Sequence, residues 1–196
     1  AFAYVVGDTG LSIGAGVSPV IHHVATVRAR TADDSDEIEF SNGALKEGRS
    51  LLDATGFNLQ ATAGVYWQTP TGDVRAGLSY LSQPGFGQTR MKGTLDGRTA
   101  AGDVKQDIDF LQSYPDVIRL GGAYRLPDGK IELRADGEYV RWSVLDRQCV
   151  VLRGRDCSIA PDGSAIGNPQ DIVLNIPRNW NDAVGFRGGA AYFVTP

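Results

Sequence analysis

Two histidines, two cysteines and a set of arginines are the residues in this chain that could do chemistry. His22 and His23 are adjacent; on an extended strand their side chains leave opposite faces, so they cannot share one metal ion. Cys149 and Cys157 lie in a polar stretch with no further Cys or His nearby to complete a zinc site. A disulfide is the simplest reading and suits an oxidising compartment; two reduced, unrelated thiols are the alternative. Neither a His-Glu-x-x-His run nor a phosphate-binding glycine loop occurs. No catalytic residue, metal centre or cofactor is therefore expected, and the chain is read as a non-enzyme. The acidic run Asp33-Asp34-Ser35-Asp36-Glu37-Ile38-Glu39 offers oxygen ligands for Ca²⁺ but lacks the spacing and the glycine of an EF-hand loop. A solvated loop face accounts for it better.

The elements that must position these residues are strands. The 196 residues include 25 glycines, nearly twice the usual share of about 7%, and a single methionine. A composition 42% hydrophobic and 21% charged argues against disorder, and no apolar run reaches the about 20 residues of a membrane helix. The formal charge of -4, with Lys and Arg scattered, leaves no basic footprint, so nucleic acid is not an expected partner. Period-2 alternation predicts antiparallel strands over 2–6, 11–30, 57–68, 74–82, 117–125, 131–142 and 184–194. Tight turns at 7–10, 69–73 and 126–130 alternate with long connections at 31–56, 83–116 and 143–183. In an up-and-down sheet this puts every tight turn at one end and every long loop at the other, the polarity of outer-membrane barrels.

The faces differ as well. Phe57, Leu59, Ala61, Ala63, Val65 and Trp67 form one apolar parity, while Asn58, Gln60, Thr62, Gly64, Tyr66 and Gln68 are polar or small. The same split recurs around Leu78, Leu133 and Phe186, with Trp67, Tyr80, Tyr139 and Tyr192 placed near strand ends like an aromatic girdle. Alternation alone leaves two architectures open. One is a transmembrane barrel with the apolar face on lipid; the other is a soluble secreted or periplasmic all-β lipid-binding module of lipocalin-like logic, with that face inward.

Five weak motifs, in order, narrow the choice. The stretch 114–125, Tyr-Pro-Asp-Val-Ile-Arg-Leu-Gly-Gly-Ala-Tyr-Arg, resembles a strand of the FadL/TodX family of outer-membrane transporters for long-chain fatty acids and hydrocarbons. The stretch 134–143 is similar to the family's strand ending in Trp-Ser, here Trp142-Ser143, and Asn179-Trp180-Asn181-Asp182 to its Trp-x-Asp approach to the next strand. Stretches 11–17 and 76–80 also resemble family strands, so the likeness runs through nearly the whole chain. It implies an all-β, up-and-down transmembrane barrel of about fourteen strands, of which residues 1–196 supply about seven as one partial barrel without internal domain boundary. The chain is accordingly read as an internal piece of something longer, with the family's N-terminal plug and C-terminal strands outside it. The implied activity is passive diffusion of hydrophobic small molecules across the bacterial outer membrane with a lateral exit. The expected surroundings are outer-membrane lipid and lipopolysaccharide, bridged by divalent ions if the acidic run takes part, and a monomer is expected.

The resemblance also implies sites. The family captures its ligand in an apolar groove between two extracellular loops; here the candidates are Leu45, Leu51 and Leu52 from the first loop, and Phe86, Met91, Phe110 and Leu111 from the second. The same residues would serve equally to anchor their own loops. Arg75, Arg119, Arg125, Arg134 and Arg187 fall on the polar parity, where a guanidinium could meet a carboxylate head group. An internal ion-pair ladder with Glu132, Asp136 and Glu138 is the alternative reading. Finally, His22 with a serine on a neighbouring strand could imitate the Ser/His pairs of outer-membrane phospholipases.

Overall fold

Alternating apolar residues punctuated by Gly, Pro and Asp fold into antiparallel strands throughout, as a computed structural model describing residues 1–31, 39, 41–43, 47–99 and 102–194 shows. Eleven strands form one sheet: β1 Phe2–Val6, β2 Leu11–Thr31, β3 Glu47–Gln68, β4 Val74–Leu81, β5 Gln88–Thr99, β6 Gly102–Ser113, β7 Val117–Arg125, β8 Ile131–Val140, β9 Arg147–Leu152, β10 Ile172–Pro177 and β11 Ala183–Tyr192. Among the described residues there is no α-helix, only single 3-10 turns at Pro84–Phe86, Trp142–Val144 and Pro169–Asp171.

Seven strands, β1-β2-β3-β4-β7-β8-β11, make a wall. Its register aligns the apolar parity of every strand: Ala63 faces Tyr80, Tyr80 faces Ile118, Ile118 faces Tyr139 and Tyr139 faces Val184. A slip of one residue in any pair would mix the faces, so the pattern fixes the register. This apolar face is open: Phe57 is 64% exposed, Ile21 75% and Phe186 84%. The wall's later strands run eight to ten residues, close to the about 9–11 that cross a bilayer. At one end it closes in tight turns; Gly10 has φ +72°, and a Cβ there would sit 2.0 Å from the Gln68 carbonyl oxygen.

The other end departs from the sequence reading. Within the stretch expected as a loop from 31 to 56, Thr31 and residues 47–56 continue the hairpin instead, with β2 and β3 paired from Leu11↔Trp67 to Thr31↔Glu47. The connection 83–116 supplies β5 and β6, and 143–183 supplies β9 and β10. These join in a second arc, β2-β3-β5-β6-β9-β10. β3 belongs to both arcs: residues 62–68 pair with β4 and residues 50–55 with β5. Where β5 leaves β3, Gly93 lies so close that a Cβ would fall 1.9 Å from the Asp53 carbonyl oxygen. Only glycine fits that crossing.

The motifs that carried the resemblance meet at this end of the wall. Trp142 packs edge-on against Trp180, with ring centroids 4.9 Å apart. Asp182 accepts from the Ser143 N–H at 2.8 Å and from the Tyr139 hydroxyl at 2.5 Å. The Trp-Ser and Trp-x-Asp sequences are thus two halves of one clasp that returns the chain from the second arc into β11.

Candidate functional site

Where β6 meets β9, the second arc is buried on both faces. Along β6, Ile108, Asp109, Phe110 and Leu111 are all buried, and along β9 so are Cys149, Val150 and Val151. On one face Leu52, Ala54, Met91, Ile108, Phe110 and Val150 form a cluster, with Val24, Leu95 and Val173 packed against it. A register shift between Ile172 and Leu174 adds Val173 to this face, as a bulge does. Over the cluster lies a groove of about 550 Å³, with Leu52, Leu95, Phe110 and Val150 in its lining, Leu174 and Ile176 from β10, and Gln148 and Arg178 as polar members.

On the opposite face, Leu111, Cys149 and Val151 pack with Cys157 and Ile172. The stretch 153–168 forms a strap here, fastened by the Cys149–Cys157 disulfide. A polar node holds the same strap. The Asp109 carboxylate, 1% exposed, accepts from Arg90 Nη1 at 2.8 Å and from the Gly154 N–H at 2.9 Å. Arg90 also donates to the Arg155 carbonyl at 2.8 Å and to Asp156 at 2.5 Å. Arg153 Nε stands 3.1 Å from the other Asp109 oxygen while donating to the Ile108 carbonyl. Burial pushes the Asp109 carboxyl up, but the Gly154 and Arg90 hydrogen bonds and the charges of Arg90 and Arg153 outweigh it and hold the group below the usual carboxylate range.

Of the residues the sequence nominated for the groove, Leu52 and Phe110 line it and Met91 lies fully buried beneath them. Leu111 points to the strap instead. Leu51, one residue from Leu52 on a strand, necessarily faces the other way and borders a separate recess with Val27 and Val104. Phe86 is 70% exposed on its turn, and Leu45 lies outside the described residues, as does the acidic run apart from Glu39. Val150, Leu174, Ile176 and Arg178 were missed because they come from a connection too long and too polar to read as strand.

The five arginines of the wall are held by carboxylates. Glu132, 1% exposed, contacts Arg75, lies 2.5 Å from Arg134 and 3.6 Å from Arg125. Arg119 meets Glu138 at 2.5 Å and Arg187 meets Asp136 at 2.8 Å. The ladder of Glu132, Asp136 and Glu138 is therefore present, although five guanidinium groups share only three carboxylates. His22 stacks on Tyr114 with centroids 4.7 Å apart, and its buried Nε2 has no hydrogen-bond partner among the described residues, so no Ser/His pair forms. The run Gly10-Leu11-Ser12-Ile13-Gly14 spells the letters of a nucleophile elbow, but it lies in a turn and the start of β2 with no helix after it.

No protein-family model and no curated protein sequence matches the chain. Its fold is similar to that of several solved structures. Among them are the toluene transporter TbuX of Ralstonia pickettii (21% identity, TM-score 0.62, covering 99% of this chain and 50% of that one), a FadL homologue of Pseudomonas aeruginosa (15%, 0.67, 98% and 45%) and the toluene transporter TodX of Pseudomonas putida (16%, 0.59, 98% and 50%). The chain spans about half the length of each. With its wall of aligned strands left unclosed, it has the fold of roughly half of a FadL/TodX-type β-barrel.

Proposed function

We propose that the chain is one stretch of an outer-membrane barrel that passes hydrophobic small molecules inward by passive diffusion, with no bond chemistry. The observation that carries this reading is the open apolar face, continuous in register over β2, β3, β4, β7, β8 and β11, joined through β3 to an arc bearing an apolar groove. A lipid-facing wall satisfies the first half and a capture site the second. The tight turns then face the periplasm and the second arc faces outward, as in outer-membrane barrels generally. The ligand would settle first over Leu52, Phe110 and Val150, enter the lumen past the arginine ladder and leave sideways through the wall. The similar structures, two toluene transporters and a FadL homologue, agree with this class of cargo.

The test is uptake of radiolabelled toluene and oleate by cells deleted for the full-length parent gene and complemented in trans. Wild type should restore uptake of at least one of them. Leu174→Glu, which puts a charge in the groove from an exposed position, should not, at equal abundance in the outer-membrane fraction. Uptake indifferent to the deletion, or a parent protein found in the soluble fraction, would sink the reading.

A further inference from the structure

The groove ends on a guanidinium that no carboxylate neutralises among the described residues. Arg178 follows β10 and donates from both Nε and Nη2 to Gln148 Oε1, at 2.9 and 2.5 Å. Gln148 is fixed in turn, donating from Nε2 to Gln112 Oε1 at 2.6 Å. The arginines of the wall each face a carboxylate, whereas Arg178 has none within ion-pair distance among the described residues. A guanidinium has five N–H donors in a planar fork. Two are committed to Gln148, which sets the plane of the fork and leaves three donors for another acceptor.

We propose that Arg178 is a specificity-determining residue that selects amphiphiles with an anionic head over neutral hydrocarbons, an inference that rests on the capture reading above. The head pairs with the free edge of the Arg178 fork, and the tail lies along Leu52, Leu95, Phe110 and Val150. Charge complementarity argues for this occupant, and so does size. A benzene-sized ligand needs an apolar cavity of only about 150 Å³, while this groove offers about 550 Å³. Sequence reading offered the wall arginines either as head-group contacts or as an ion-pair ladder, and a ladder is what they form.

The experiment titrates octanoate and 1-octanol, which share a tail length, into the full-length protein in amphipol, with protein-free amphipol as the blank. Octanoate should bind about tenfold or more tightly than 1-octanol, the scale of one charge-assisted hydrogen-bonded contact. Arg178→Gln should abolish that preference by weakening octanoate at least about tenfold more than 1-octanol; Arg178→Lys should restore part of it. A preference that survives Arg178→Gln would place the head elsewhere and overturn the proposal. Equal binding of both ligands to the wild type would overturn it too, while leaving the capture reading in place. Failure of both ligands to bind would overturn that reading and this one together.

Discussion

Replacing Asp109 by Asn should loosen the strap without unfolding the wall. The carboxylate is 1% exposed and holds Arg90, the Gly154 N–H and the charge of Arg153 at 2.8, 2.9 and 3.1 Å. Asn keeps the shape but accepts through one oxygen only, and it turns an NH₂ group toward a cation. Hydrogen bonds to charged groups contribute about 1.5–3 kcal/mol each, and stranding a charged partner costs more, so local opening should become easier by about 3 kcal/mol. That raises the open population about a hundredfold. Limited trypsinolysis at neutral pH reads it directly, because Arg153 and Arg155 lie at the start of the strap and the pieces stay joined by Cys149–Cys157 until reduced. Nicking at Arg155 should accelerate by that order, while the heat-dependent gel mobility of the full-length protein stays as in wild type. The wild type should show the same loss in acid. Because the folded carboxyl titrates below its ordinary value of about 3.9, its contribution is complete above about pH 4 and disappears as pH falls through the lower folded value. Cleavage by an acid protease should therefore rise only below about pH 4, and Asp109→Asn should be insensitive across that range. Equal nicking rates for the variant and the wild type at neutral pH would refute the assignment of Asp109 as the node of the strap.

Three further outcomes follow from the geometry. Glu132→Gln removes the shared partner of Arg75, Arg125 and Arg134; the full-length protein should lose its folded gel mobility at a lower temperature and pass small anions faster in liposome swelling. Gly93→Ala cannot keep the crossing of β5 over β3 and should abolish octanoate and 1-octanol binding, measured by calorimetry, while the wall still gives heat-dependent mobility. Replacing Cys149 and Cys157 by Ser releases a short closed loop, a loss of about 2–3 kcal/mol that should speed tryptic nicking of the strap by about fiftyfold or more at neutral pH.

The wall was legible because its two faces meet different surroundings, so Phe57 to Trp67 alternate cleanly and the turns between strands carry Gly, Pro and Asp. The second arc was not, because both of its faces are covered. In β6 and β9 that coverage turns Ile108-Asp109-Phe110-Leu111 and Cys149-Val150-Val151 into short buried runs, which period-2 scoring passes over. The loop reading of 47–56 failed for a related reason. Leu51 and Leu52 look like one apolar patch in sequence, yet a strand sends them to opposite faces. Arg178 gave no signal of its own, since only the pairing of β9 with β10 brings it beside Gln148. The arginine parity was correctly read, but parity cannot say whether a charge is already answered by a neighbour.

The sharing of β3 has a consequence for how such a protein can diversify. Residues 62–68 are locked into the wall by β4, while residues 50–55 take their second neighbour from an excursion of the chain between β4 and β7. Lengthening, shortening or rewriting that excursion, or the one between β8 and β11, leaves the wall's pairings β4–β7 and β8–β11 untouched. On the proposed function, cargo preference can drift in the excursions while the wall stays constant.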